Sequence, residues 1–502
     1  MIEVTPKDEH NKDLIERVHP IDWVSEPDPS GYDFVAIGGG TAAQISTAGA
    51  ALSGLKVALI ERQYIGGDCL MVGCVPSKSL IHAAKMAHRM RTASELGIEA
   101  KEVQVNFSKV METLRESRSE ISLDDSAVNV SARGIDVLYG HARFTGTNTI
   151  DLNGKEIRFK RAIVCTGTRP ILPNIPGLVE SDPLTNESVF NLTELPKRLA
   201  VIGAGAIGCE LGQALNRLGA RVTMLVRDKR LLAKEDPRAS DYILNAFQKE
   251  GVEVLFEATL VSVEKAKDGL LLKVQKGDFS QELVVDRILV ATGRSPNVEN
   301  LGLEEAGVKF DHKGIQIDDY QRTTNKRVYA AGDVANELKF THSAYAYGEY
   351  AAMNALLPFR LFKSSKRVIP WCTYVDPEVA HVGWSYKKLM ENESAWECYE
   401  KSFSDNDRAQ VERSTDGFAK LYGLKSNGKL IAATVVGESA GDLIGEMSLA
   451  ITTGRKLSDI GSTIHSYPTR SDIYRLAIEN YKSKQVTPIL KSFFKFWFKL
   501  IH

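Results

Sequence analysis

The chain has 502 residues, 43% of them hydrophobic and 25% charged, enough apolar material for several cores and for three or four globular domains. A formal net charge of -1 supplies no global field to attract nucleic acid and argues against a DNA or RNA partner. Six cysteines are few for this length, and in a reducing compartment a disulfide among them is expected to be catalytic or sensing rather than structural.

The opening residues, MetIleGluValThrProLysAspGluHis, are polar and acidic where a secretory leader needs a basic start and an apolar run, so a cytoplasmic location is expected. Residues 1–30 contain Pro20, Pro27 and Pro29 and read as a leading arm that packs loosely or along a neighbour. From Tyr32 the pattern changes to an apolar strand, a glycine turn, a small-residue helix and a second strand, ValAlaLeuIleGlu. In this βαβ unit Gly38 and Gly40 permit a tight turn and close approach of backbone to a pyrophosphate, and Ala43 fills the third small-residue position. Glu61 ends the second strand, where a carboxylate can accept hydrogen bonds from ribose hydroxyls.

Shortly downstream, Cys69 and Cys74 stand in GlyGlyAspCysLeuMetValGlyCysValProSerLys, Gly66 to Lys78. A thiol pair can be a metal site or a structural link, but no second Cys/His pair at ligand spacing lies nearby, so no metal site is expected and electron transfer is the better reading. Cys74 precedes Val75 and Pro76 at an expected helix start, where the positive end of the dipole lowers a thiol pKa. Cys165, Cys209 and Cys372 sit in apolar contexts and read as buried fillers.

A second βαβ unit begins at Arg198, carries Gly203, Gly205 and Gly208, continues as a helix to about Leu218 and returns as the strand Arg221 to Arg227. Val226, Arg227, Lys229 and Arg230 stand where an NAD site usually places a carboxylate, and cationic side chains pair with a 2′-phosphate. NADPH is therefore the favoured nucleotide, with NADH possible. Short alternating runs such as IleAspLeuAsnGlyLysGluIleArgPhe and GlyLeuLeuLeuLysValGln predict antiparallel strands inserted in the parallel framework. From about Val368 the texture becomes α+β, with strands near Ala380 and Ala432 and a long helix from about Asp442.

From residue 32 to about 480 the chain resembles the class I pyridine nucleotide-disulfide oxidoreductases, flavoproteins related to dihydrolipoamide dehydrogenase and glutathione reductase. The segment Cys69 to Lys78 is the most specific match, joined by CysThrGlyThrArgPro (Cys165 to Pro170), AlaThrGlyArgSerProAsn (Ala291 to Asn297) and AlaAlaGlyAsp (Ala330 to Asp333). The resemblance implies an α/β fold with two Rossmann-like dinucleotide-binding domains, for FAD and NAD(P), plus a C-terminal α+β dimerisation domain. The expected boundaries are an arm at 1–30, FAD-binding at 31–183, NAD(P)-binding at 184–298, a second FAD-binding or central part at 299–367, an interface domain at 368–485 and a tail at 486–502.

By the same resemblance Asp333 binds the flavin ribityl chain, and Gly67, Thr166, Gly167, Gly332, Gly293 and Arg294 fall at cofactor-binding positions. Cys74 becomes the flavin-proximal sulfur and Cys69 the interchange sulfur, while Lys78 and Glu210 match a lysine and glutamate that pair near the flavin edge. A homodimer with shared active sites is implied. The expected activity takes hydride from NAD(P)H and passes electrons through FAD and Cys74/Cys69 to an unidentified small-molecule acceptor. Two alternatives stand beside it: a dihydrolipoamide dehydrogenase, against which Val226, the basic turn and the missing histidine described next all argue, and a nucleotide-binding redox sensor.

Departures from the family pattern are informative. Asp68 and Met71 replace Thr and Asn, and the charge of Asp68 is expected to raise the pKa of Cys69 unless a cation offsets it. Near the C-terminus Tyr467 holds the position of the acid/base histidine and Asp472 that of its glutamate. A phenol with a pKa of about 10 is a poor general base at neutral pH. His465, two residues upstream, is expected to face the other side of an extended strand. The tyrosine and the stretch AlaLysGluAspProArg resemble the mercuric reductase-like branch. The vicinal cysteine pair of that branch is missing, the last cysteine being Cys398, and so is an N-terminal metal-binding domain; both argue against mercuric ion as substrate.

Residues 487–502 lie beyond the family pattern. Thr487 can cap and Pro488 can open a helix on which Lys491, Lys495 and Lys499 share one face and the rest is aromatic or aliphatic. That pattern fits a peripheral membrane helix with snorkelling lysines, or a tail docked on the protein or its dimer mate.

Overall fold

The computed structural model describes residues 2–99, 102–485 and 488–501. It forms two compact units, Met1–Lys229 with Glu250–Arg367 and Arg230–Lys249 with Val368–His502.

The first unit opens with a helix, α1 (Glu9–Val18), whose N-terminus is capped by the Asp8 carboxylate accepting from Asn11 N. The leading segment does not pack loosely. Leu14 and Val18 on α1 are fully buried, Tyr139 Oη donates to Val18 O at 2.7 Å, and Arg17 Nη1 donates to Ser119 O at 2.6 Å. The prolines after Val18 misdirected the reading; the amphipathic spacing of Asn11, Leu14 and Val18 is the signal that identifies a packed helix.

Strand β1 (Tyr32–Ile37), helix α2 (Thr41–Leu52) and strand β2 (Val57–Glu61) make the first βαβ unit. Then come α3 (Gly67–Met71), α4 (Cys74–Thr92), α5 (Phe107–Ile121), α6 (Ala127–Ser131) and β3 (Ile135–Tyr139). The strands β4 (Ala142–Gly146), β5 (Thr149–Leu152) and β6 (Lys155–Val164) complete the sheet in the order β3-β2-β1-β6-β5-β4. Pairing is parallel from β3 to β6, with Val328–Ala330 added parallel to β6, and antiparallel among β4, β5 and the start of β6. The central strands are apolar runs because both faces are buried, Val35, Ile37, Ala58 and Ile60 packing in one core with Phe144, Ile150, Leu301 and Leu303.

Strands β7 (Thr168–Pro170) and β15 (Arg294–Pro296) pair antiparallel. Between them lies a second parallel sheet of β8 (Arg198–Ile202), β9 (Arg221–Val226), β10 (Glu253–Phe256) and β14 (Arg287–Val290), in the order β10-β9-β8-β14, with α7 (Ala206–Leu218) joining β8 to β9. The strands β11 (Ala258–Ala266), β12 (Gly269–Lys276) and β13 (Phe279–Val285) form a separate antiparallel sheet.

The second unit is built on a five-stranded antiparallel sheet, in the order Trp371–Thr373, Glu378–Gly383, Leu430–Gly437, Phe418–Leu424, Trp396–Ser402. The helix at Ala440–Thr452 and the one at Ile473–Gln485 bury Met447, Tyr474 and Ile478 in its core, where Tyr474 Oη donates to Leu443 O at 2.8 Å. The final helix begins at Pro488 and runs to Leu500 with Phe493, Phe494, Phe496, Trp497 and Phe498 exposed; Thr487, the expected cap, lies outside the described residues. Among the described residues no helix is long and apolar enough to cross a membrane.

Candidate active site

Two helix starts meet at the first glycine turn. Gly38 has φ +108°, and a Cβ there would lie 2.4 Å from Cys165 O, so both conformation and space require glycine. Gly40 begins α2, with Ala43 buried in its first turn, and a Cβ on Gly67 would come within 2.9 Å of Gly40 Cα. Backbone alone lines the junction of α2 with α3, a cradle suited to a dinucleotide pyrophosphate. Glu61 accepts from Gly39 N at 2.5 Å and Gln63 N at 2.7 Å, and burial raises its pKa. Its carboxylate thus sits beside the turn, in reach of a ribose. Asp333 follows Gly332 (φ +82°), accepts from Thr168 Oγ1 at 3.1 Å, and is also pushed up by burial. Thr166 Oγ1 donates to Asn297 O at 2.7 Å and Asn297 N to Gly167 O at 3.0 Å, tying the two returning segments together. The glycine cradle and two half-buried carboxyl groups fit FAD.

The cysteines are brought together by a broken helix. Val72 N donates to Asp68 O at 2.9 Å and ends α3, and α4 starts at Cys74 after Gly73, where a Cβ would meet Asp68 O at 2.6 Å. Thr341 Oγ1 lies 3.3 Å from Cys74 Sγ. Cys74 is drawn down to about 6, first by the bond from Cys69, then by Thr341 and the charge of Lys78 working against burial. Cys69 is pushed far up by its bond to Cys74, by burial and by the charge on Cys74. The opposite directions favour a thiolate at Cys74 and a thiol at Cys69. Lys78 Nζ lies 2.9 Å from Glu210 Oε2, whose side chain is buried on α7. Thr341, the first residue of the helix Thr341–Leu356, escaped the sequence reading, because a threonine at a helix start carries no distinguishing signal.

Asp68 has the cation that its expected effect on Cys69 depended on. Its carboxylate is paired with Arg294, which also donates from Nε to Thr168 Oγ1 at 2.6 Å, from Nη1 to Asn186 Oδ1 at 3.1 Å and from Nη2 to Thr168 O at 2.9 Å. The cation offsets Asp68, and the carboxylate that raises Cys69 is Asp125. Burial still moves Asp68 up to about 6, opposed by Arg294 and reinforced by Asp333 and Glu187. Asp68, Arg294, Thr168 and Asp333 form one connected network beside the cysteines. Gly293, at φ +144°, precedes it.

The second glycine turn repeats the first. Gly203 (φ +107°) has Ala291 O 2.4 Å from its would-be Cβ, Gly205 begins α7, and a Cβ on Gly208 would meet Gly203 O at 2.2 Å. Arg227 is exposed just beyond β9. Lys229 lies 3.9 Å from Glu257, and Arg230, in the second unit, turns to Ala233 O at 2.8 Å.

In the second unit the expected partners separate. Tyr467 is 77% exposed and its hydroxyl donates to Asp407 Oδ2 at 3.1 Å, which raises the phenol pKa. Asp472 instead makes a two-point ion pair with Arg475, at 2.7 and 2.8 Å. The His465 side chain is buried, with Nε2 3.1 Å from Glu446 Oε1.

The family model for pyridine nucleotide-disulphide oxidoreductases matches residues 32–348, and that for their dimerisation domain residues 369–478. A mercuric reductase of Bacillus cereus is 35% identical over 448 residues, spanning 89% of this chain and 71% of that protein. A dihydrolipoyl dehydrogenase of Thermus scotoductus is 36% identical over 446 residues, 88% of this chain and 95% of that protein. The solved structure of the HOCl-induced flavoprotein disulfide reductase RclA from Escherichia coli shares the fold, with a TM-score of 0.79 at 24% identity over 89% of this chain and 100% of that chain.

The Thr341 contact predicts a titration. Alkylation of the reduced pair should rise through a pH of about 6 as Cys74 ionises. Thr341→Val removes a donor to the thiolate and should move that profile to higher pH; a superimposable profile would show that Thr341 does not hold the anion.

Proposed function

Because the chain belongs to the pyridine nucleotide-disulphide oxidoreductases, we propose how its own residues divide the work of a homodimeric FAD enzyme that oxidises NAD(P)H through a redox-active disulfide. When bound, FAD supplies the two-electron relay between nicotinamide and disulfide. The backbone at Gly38 and Gly40 and the start of α2 bind its pyrophosphate, Glu61 its ribose and Asp333 its ribityl chain. The backbone at Gly203, Gly205 and Gly208 binds the pyrophosphate of the nicotinamide nucleotide, and Arg227 pairs with a 2′-phosphate, which selects NADPH. Lys78, oriented by Glu210, keeps a cation beside the thiolate and the flavin edge.

Two electrons and one proton open the disulfide to a Cys69 thiol and a Cys74 thiolate. Cys69 then acts as the interchange sulfur: the acceptor takes two electrons and the Cys69 proton, and the disulfide closes again. The observation that carries this reading is geometric: Cys74 opens α4 with Thr341 Oγ1 3.3 Å from its sulfur, Lys78 of the same helix is paired with Glu210 at 2.9 Å, and Cys69 stands on α3 just before it. The partner subunit's Tyr467 completes each site as a hydrogen-bond donor. The raised phenol pKa makes it unfit to abstract a proton at neutral pH, so the acceptor is a small molecule whose reduction needs no histidine relay.

A second reading concerns location. The helix Pro488–Leu500 carries Lys491, Lys495 and Lys499 on one face and exposed aromatic and aliphatic side chains elsewhere, the arrangement of a peripheral helix lying in a membrane interface.

Three measurements check these assignments. Cys69→Ala should retain flavin and its reduction by NADPH while acceptor turnover falls by at least about a hundredfold; undiminished turnover would place the exit of electrons elsewhere. Arg227→Glu should lower kcat/KM for NADPH about tenfold or more and leave NADH little changed; an equal loss with both nucleotides would remove the 2′-phosphate assignment. In vesicle co-sedimentation the full chain should pellet and a chain ending at Gln485 should not, whereas equal binding by both would end the membrane reading.

A further inference from the structure

Residues 2–19 precede the stretch matched by the family model, yet one buried arginine joins them to the redox segment. Arg118, on α5, is 1% exposed. Its Nη1 donates to Met71 O at 2.8 Å and its Nη2 to Asn11 Oδ1 at 2.6 Å. Neither acceptor is charged, and Nε has no partner. A guanidinium withdrawn from water with only neutral acceptors is unfavourable unless the surrounding structure fixes it there; burial and the neighbouring charge of Arg115 draw Arg118 down to about 10.

The frame that fixes it comes from the N-terminal segment. Asn11, itself 1% exposed, donates from Nδ2 to Pro6 O at 2.7 Å, which aims its oxygen at Arg118. Asp8, the cap of α1, pairs with Arg115 at 2.5 Å and so neutralises the cation next to Arg118. At the other end, Met71 is the last residue of α3 and lies in the spacer between Cys69 and Cys74. The next carbonyl, Val72 O, accepts from Asn186 Nδ2 at 3.3 Å. Two successive carbonyls of the spacer are thereby held from outside it.

We propose that Arg118 and Asn11 are positioning residues of the redox disulfide: through them the N-terminal segment fixes the spacer and hence the alignment at which the two sulfurs meet. The inference rests on the reading of Cys69 and Cys74 as the redox pair. With Asn11 removed, Arg118 loses its fixed end, the Met71 peptide gains freedom, and ring closure loses the effective concentration that a rigid spacer provides.

The test uses the full-length holoenzyme and its Asn11→Leu, Asn11→Ser, Arg118→Met and Arg118→Lys variants, equilibrated in dithiothreitol redox buffers with the Cys69–Cys74 disulfide quantified by mass. Asn11→Leu and Arg118→Met should shift the equilibrium about tenfold toward the dithiol, and Arg118→Lys, which keeps a donor, should recover part of the shift. Flavin content should be unchanged. Lowered melting temperatures with an unaltered thiol–disulfide equilibrium would overturn the proposal, leaving Arg118 a packing residue. The milder Asn11→Ser gives the same readout should the larger changes prevent folding. Failure of the unsubstituted enzyme to form the disulfide at all would instead overturn the redox reading, and this inference with it.

Discussion

A sulfur anion is held where donors and positive charge surround it, and the first unit of this protein supplies both at Cys74. The Cys69 thiol and the Thr341 hydroxyl donate to it, Lys78 supplies charge, and the sulfur occupies the first position of a long helix, where backbone N–H groups are unpaired. Each contribution depends on a different part of the chain. Thr341 arrives from a helix far along the sequence, Glu210 on α7 orients Lys78, and Gly73 lets α3 end and α4 begin with the cysteines in contact. The fold is in this sense a device for bringing distant donors to one sulfur.

Around that centre the carboxylates are managed by pairing. Asp68 would oppose ionisation if it stood alone, but Arg294 takes its charge and links it through Thr168 to Asp333. The departure from the family pattern at Asp68 is thus matched by a connection that passes from the redox segment to the carboxylate proposed for the flavin. The second unit shows the opposite behaviour: Tyr467 and Asp472 do not reproduce an acid/base pair, because Asp472 is taken by Arg475 and Tyr467 turns to Asp407. The loss of a histidine there is not repaired by its neighbour, since His465 is buried against Glu446 while Tyr467 faces outward.

The glycine turns, both parallel sheets and the helix start at Cys74 were legible in the sequence because each is a local pattern: Gly38 and Gly203 need positive φ, and apolar runs mark doubly covered strands. What escaped was non-local. Nothing in the residues around Thr341 announces a sulfur partner, and the Asp68–Arg294 pair spans most of the first unit. The leading helix is obscured for another reason: prolines and charges surround the three-and-four spacing of Asn11, Leu14 and Val18 that marks its buried face.

The central claim is that electrons from the nicotinamide reach the Cys69/Cys74 pair. An anaerobic titration of the purified enzyme with NADPH, followed through the flavin spectrum, tests it most directly. At the two-electron stage a long-wavelength band from the Cys74 thiolate beside oxidised flavin is predicted, and it should disappear on acidification through a pH of about 6. Direct bleaching of the flavin without that band would show that the cysteines do not receive the electrons, and would contradict the account.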